Sequence, residues 1–173
     1  LAYGSFLEYI RPYEYGIKVN KIGFQRGVQK RVYETGLYLV LPFGVQEMHK
    51  LPRGFQVLEL TNSAQTAAYD TRIERAAHIQ TSDGFFVDVD VSIIYRINDP
   101  YKVFTDIGPG RLFEDNGIIP KTEPALKNNL GKLTTEEFFN SPMRVEKALA
   151  AKQELNEELK DKGIVVEHVL VRY

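Results

Sequence analysis

Residues 81–100 read TSDGFFVDVDVSIIYRINDP. Phe85, Val87, Val89, Val91, Ile93 and Tyr95 are apolar, with Asp88, Asp90, Ser92 and Arg96 between them, the period-2 pattern of a half-buried β-strand. Ser82, Asp83 and Gly84 supply turn chemistry before it, while Asn98 and Asp99 end it and Pro100 can open a helix at its first position. Residues 72–81 also read as strand, so the length of the turn fixes a register. A two-residue Asp83-Gly84 turn would set Val87 against Gln80 and Asp88 against Ile79, mixing polar with apolar side chains on both faces. A three-residue loop with a left-handed Gly84 sets Thr81 against Phe85, Ile79 against Val87 and Ala77 against Val89. Apolar then meets apolar, and His78 faces Asp88 across the strands. This second register is the expected one.

Outward from this hairpin, the first half of the chain is strand-like. Tyr15, Ile17 and Val19 alternate with Gly16, Lys18 and Asn20; Gly23 and Gly27 bracket a loop before a strand over residues 28–33. A third strand follows Gly36 and stops at Pro42, which suggests a β-meander. Residues 45–51 and 55–60 read as two more strands around the turn at Pro52, Arg53 and Gly54, and the polar stretch 61–70 reads as a mobile loop. Tyr3, Phe6 and Tyr9 recur at three-residue spacing, an aromatic stripe if helical, read either as a segment packed on the core or as the exit of a membrane anchor. Packing is the reading that spacing favours.

After Pro100 the pattern turns helical. Tyr101, Val103, Phe104 and Ile107 share a face until Gly108, Pro109 and Gly110 interrupt it. Residues 111–130 should be helical with a kink or in two segments, given Gly117, Pro120 and Pro124. Thr134 and Glu137 fit a capping box for a short helix reaching Phe139. Ser141 and Pro142 then cap a longer helix that ends at a left-handed Gly163, with an apolar stripe of Val145, Ala148, Leu149, Ala151, Leu155 and Leu159. Residues 164–171 read as a strand covered on both faces.

Several of these pieces, in this order, resemble the SPFH domain, also called band 7 or prohibitin-homology. The T-x-D-G turn, the alternating strand and Tyr95-Arg96-Ile97 before Asp99-Pro100 resemble its centre. Ile10-Arg11-Pro12-Tyr13-Glu14-Tyr15-Gly16-Ile17 resembles its opening strand, and the run from Gly36 through Pro42 and Phe43 resembles its next conserved-looking segment. Lys162-Gly163-Ile164-Val165-Val166 resembles its last helix and strand. The resemblance implies residues 10–173 as the SPFH-like domain, with residues 1–9 as an N-terminal segment following a membrane anchor. It departs from the family pattern at residues 61–69, long and polar, and at Pro120 and Pro124, which interrupt a region usually helical.

Composition bounds the function. The 173 residues suffice for one domain with a substantial core, and 22 basic against 23 acidic residues leave a net charge of -1, so no overall field draws the chain to nucleic acid. The absence of cysteine excludes disulfides, thiolate catalysis and zinc-thiolate sites. No run approaches the roughly 20 apolar residues that a spanning helix needs.

Chemical motifs are sparse. His49, His78 and His168 fall one to a strand without metal-ligand spacing, and Asp83, Asp88 and Asp90 lack a calcium-loop pattern. Lys30 and Arg31 read as a solvated strand edge. Gly108-Pro109-Gly110 cannot cradle phosphate, since proline lacks the needed N–H. No catalytic, cofactor-binding or metal-binding residue is therefore assigned, and no cofactor is expected.

The expected fold is α+β: a strongly bent, mostly antiparallel sheet with helices in the C-terminal half and a last strand returning after the long helix. The resemblance implies a membrane-associated, non-enzymatic scaffold that forms homo-oligomers in its full-length protein and regulates other membrane proteins, proteases among them. It implies attachment to the membrane through segments outside this chain, on a side the sequence does not give. Two readings from other classes stand beside it: a hydrolase with a site assembled from dispersed carboxylates, and a soluble ligand-binding module.

Overall fold

The structure is a computed structural model that describes residues 6–63 and 71–172. Its centre is the expected hairpin: β8 (Ala77–Gln80) pairs antiparallel with β9 (Phe86–Ile97), with Ala77 opposite Val89, His78 opposite Asp88 and Ile79 opposite Val87. Gly84 has φ of 89°, and Thr81 N donates to Phe85 O at 2.8 Å, closing the three-residue loop. Hydrogen bonds from Thr81 and Thr135 hold the Asp83 carboxyl below the usual carboxylate range and tie the turn to the helical layer.

The long strand β9 is shared. Residues 91–96 pair with β6 (Phe55–Leu60), and residues 90–97 pair with β10 (Ile164–Arg172). The sheet order is β10-β9-β6-β7, where β7 is Thr71–Glu74, with β8 joined to β9. A second sheet has the order β3-β2-β5, built from β2 (Glu14–Asn20), β3 (Gly27–Tyr33) and β5 (Gln46–Pro52). The third pairs β1 (Leu7–Ile10) with β4 (Gly36–Leu39). The expected α+β class is what forms, mostly antiparallel and with every helix after Pro100 among the described residues.

Three readings of the first half are corrected. The meander fails because β4 leaves β3 to pair with β1, and β5 takes the free edge of β2. Alternation determines which face a residue occupies but not which strand lies beside it. Residues 6–10 form no helical stripe: Leu7 and Tyr9 face solvent while Ile10 is fully buried, which is strand periodicity. Tyr3 and residues 64–70 of the expected mobile loop lie outside the described residues. The strand expected over residues 72–81 is two strands, β7 (Thr71–Glu74), parallel to β6, and β8, broken where Ala76 N turns to donate to Asn62 Oδ1 at 3.2 Å.

The helical layer covers one side of the long sheet. Asp99 accepts from Lys102 N and Pro100 opens α1 (Pro100–Lys102), which continues as a π-helical turn over Val103–Ile107. A second π-helical segment, Phe113–Ile118, runs into α2 (Ile119–Leu130), giving the two segments expected from the prolines. Pro120 stands where the π-helical segment runs into α2, and Pro124 removes one backbone donor inside it. Thr134 and Glu137 form the capping box of α3 (Thr135–Phe139).

The cap of α4 (Ser141–Leu159) lies one residue earlier than expected, at Asn140, and its buried stripe is rotated. Arg144, Ala148, Ala151, Leu155 and Leu159 are buried, while Val145 and Leu149 are exposed. Arg144 takes the stripe's first place, and its guanidinium donates to Phe138 O at 3.0 Å. The last strand is also not covered on both faces: Leu170 is exposed, beyond a register shift between Val166 and His168 that re-aims the strand.

Between these layers lies one core, with Ile93, Phe113, Leu126 and Leu155 each fully buried. Tyr95 is buried with them, and its hydroxyl is the buried side-chain polar atom without a hydrogen-bond partner among the described residues. Burial, and then the Glu114 carboxylate, pushes its ionisation well above that of an ordinary phenol, so it stays neutral. Tyr95→Phe should therefore stabilise the protein, by about 1 kcal/mol in urea denaturation, because it deletes a desolvated group and loses no hydrogen bond. A loss of stability of that size would show that the hydroxyl has a partner.

Candidate functional site

The feature that the packing leaves unexplained is an apolar end of the β-rich half. Residues 21–26, between β2 and β3, and residues 40–45, between β4 and β5, lie side by side, because Lys21 N donates to Val45 O at 2.8 Å. Phe24 is 112% exposed at the tip of the first loop and Phe43 is 95% exposed at the tip of the second, so neither ring rests on the protein. Phe43 also has φ of 59°, followed by Gly44 at 74°, and Val45 N donates back to Pro42 O at 3.2 Å. That is a type I′ turn with a bulky residue where Asn, Asp or Gly is favoured, at a strain of roughly 1–3 kcal/mol. A strained backbone that carries an aromatic ring away from the core points to something outside that receives the ring.

The β1/β4 ribbon continues this surface. Leu7 pairs with Leu39 and Tyr9 with Leu37, and all four side chains stand about half exposed on one face. Phe6 and Leu41 extend it at the strand ends, where Phe6 O accepts from Val40 N. The ribbon is held from behind by Ile10 and by Lys18, a buried cation whose Nζ donates to Leu39 O at 2.8 Å and lies 4.8 Å from the Tyr33 ring. Lys18 thus spends its charge on a carbonyl and an aromatic face, fixing β4 to β2. At the margin stand Arg26 and Lys21; the Lys21 ammonium hydrogen-bonds Glu47 and holds that carboxyl below its usual value. Contiguous apolar surface of this kind, rimmed by charge, marks contact with a membrane or a partner.

The histidines stay apart. His49 on β5 lies 3.3 Å from Glu47 and against the Phe104 ring; His78 on β8 reaches Asp88 at 2.6 Å and stacks on Phe86; His168 is exposed on β10. Among the described residues no group of histidines and carboxylates could hold a metal ion. Glu114 is the buried carboxylate of the described core, and Arg111 and Arg72 engage it. Lys121 and Arg96, by hydrogen bonds, lower the carboxyls of Glu158 and Glu167, so these are ion pairs rather than poised acids. Lys30 and Arg31 are exposed on β3, the edge strand of its sheet, as read from the sequence.

Against this architecture stands one comparison that decides the class: residues 9–173 match the family model of the SPFH domain / Band 7 family. The chain belongs to that family. No curated protein shows a significant match to it. The SPFH family is associated with membranes and is generally composed of non-enzymatic scaffolds. No helix among the described residues is long and apolar enough to cross a membrane. In this SPFH domain the exposed aromatics of this end lie on loops and on a two-stranded ribbon, where hydropathy along the sequence does not show them. Their sequence signal is local: an aromatic residue beside glycine between two strands, as in Gly23-Phe24 and Phe43-Gly44.

Proposed function

We propose that this SPFH domain works at a membrane surface as a non-catalytic scaffold, with Phe24, Phe43 and the outer face of the β1/β4 ribbon as its lipid contact. In the full-length protein it assembles with copies of itself and holds other membrane proteins, proteases among them, in place. The observation that carries the reading is Phe43, held at φ of 59° and left 95% exposed. Aromatic rings with a flanking cation suit the headgroup region, where an amphipathic surface is stable without spanning.

Flotation with vesicles of phosphatidylcholine and phosphatidylserine tests this. The wild-type chain should float, and Phe24→Asp with Phe43→Asp should bind roughly 100-fold more weakly, since two phenylalanines contribute roughly 3 kcal/mol when buried. Both positions are open, so the double variant should fold with unchanged circular dichroism. Equal flotation of a folded double variant would remove this surface as the lipid contact.

A further inference from the structure

The opposite end of β2 and β5 carries a different kind of surface. A cleft of 680 Å³ opens between the β1–β2 turn, the β5–β6 turn and the loop before the second π-helical segment, and Arg11, Lys50, Arg53 and Arg111 all line it. Four cations from three separate segments line it in a chain whose net charge is -1. Fold geometry, not local sequence, brings them together: Arg53 N donates to Tyr13 O at 2.7 Å, and Arg111 Nη2 donates to Gln56 Oε1 at 3.3 Å.

Two of the donors are ready for a ligand. The Arg53 guanidinium lies 5.4 Å over the Tyr15 ring, and among the described residues no carboxylate pairs with it. Gln56, 2% exposed, forms part of the wall; its amide donates to Phe55 O at 3.1 Å and has a second N–H with no partner among the described residues. The other cations are already oriented. Lys50 Nζ stands 3.6 Å from Glu8, Arg11 donates to Tyr13 Oη at 2.8 Å, and Glu114 steadies Arg111. Glu14 is the carboxylate of the lining, and its Oε2 accepts from Arg11 N at 3.1 Å.

We propose that this cleft binds the phosphoryl group of a small organic phosphate, with the organic body along the exposed Tyr13 ring. A phosphoryl dianion offers three terminal oxygens and two charges, so it takes the Arg53 fork and leaves an oxygen for a second cation of the lining, whereas a carboxylate has two oxygens and one charge. The cleft is of the size that holds a small molecule and far larger than inorganic phosphate needs. It is also separated from Phe43 by the length of β2, roughly 20 Å for its seven residues. A headgroup gripped by the apolar end would not reach it, so the ligand comes from solution. The site is independent of lipid contact and gives the scaffold a second input.

The test is titration of the 15N-labelled chain with phenyl phosphate, inorganic phosphate and benzoate, alongside flotation with vesicles containing phosphatidic acid. Phenyl phosphate should shift the amides of residues 50–56 and 110–111 and bind at least tenfold more tightly than benzoate. Arg53→Gln should weaken phenyl phosphate at least tenfold with the remaining spectrum unchanged, and Lys50→Gln should do so independently. Benzoate binding as tightly, shifts elsewhere, or retention of affinity in both folded variants would overturn the proposal. So would loss of phosphatidic acid flotation in Arg53→Gln together with no response to phenyl phosphate, which would assign the cleft to a lipid headgroup. Failure of the Phe24/Phe43 double variant to float leaves the phenyl phosphate result unaffected, so the two readings stand or fall separately.

Discussion

Replacing the buried Gly163 by valine should cost about 4 kcal/mol or more. Gly163 follows a 3-10 turn over Lys160–Lys162 and has φ of 80°, the left-handed conformation that ends α4 and starts β10. A β-branched residue pays roughly 1–2 kcal/mol for that conformation alone. Space adds the rest, because a Cβ here would stand 2.4 Å from Asp99 O, a backbone atom that cannot swing aside. The same carbonyl belongs to the residue that caps α1, and Gly163 O accepts from Asn98 N at 2.8 Å and Asp99 N at 3.1 Å. The substitution would therefore push apart the end of β9, the start of α1 and the start of β10 at once. Gly84 provides the control. It has φ of 89° but nothing within 4 Å of a Cβ, so Gly84→Ala should lose only about 1 kcal/mol. Urea midpoints at constant slope measure both. A Gly163→Val variant within 1 kcal/mol of wild type would show that the α4–β10 joint yields.

What the sequence disclosed follows from the range of the interactions. The β8–β9 register was legible because a turn of three residues and two alternating patterns are local, and only one offset puts Ile79 against Val87. The Thr134 capping box and the left-handed Gly163 were legible for the same reason: each is settled within four residues. Strand partners were not. The pairing of β1 with β4 depends on the buried Lys18 reaching the Leu39 carbonyl, and a lysine in an alternating strand reads as a solvent-facing residue. The stripe of α4 was misjudged at Val145 and Leu149 because hydrophobicity ranked them above Arg144, whose guanidinium is buried on a carbonyl. The candidate surfaces were the least legible. Phe24 and Phe43 are 19 residues apart in the sequence and come to the same end of the molecule only through the pairing of β2 with β5. Arg11, Lys50, Arg53 and Arg111 gather across 100 residues, and no motif spans such a distance.

Asn156→Ala should cost about 3 kcal/mol, because it strips two partners from a covered strand. The strand β10 is an edge of the long sheet, and an edge strand presents main-chain groups to any other strand that reaches it. At Val166 those groups are occupied from α4: Asn156 Nδ2 donates to Val166 O at 2.9 Å, and Val166 N donates to Asn156 Oδ1 at 2.8 Å. One amide side chain thus imitates a neighbouring strand at the point where the register shifts between Val166 and His168. Val166 is 1% exposed, so water does not replace the amide when it is removed, and each unsatisfied group costs roughly 1–3 kcal/mol. Asn156→Asp is the sharper variant. It keeps an acceptor for Val166 N but sets a carboxylate against Val166 O, so it should be no more stable than alanine at neutral pH and should recover as the carboxyl is protonated in acid. Urea denaturation at neutral and at acid pH gives both energies. Full stability in Asn156→Ala would show that the Val166 main-chain groups find other partners.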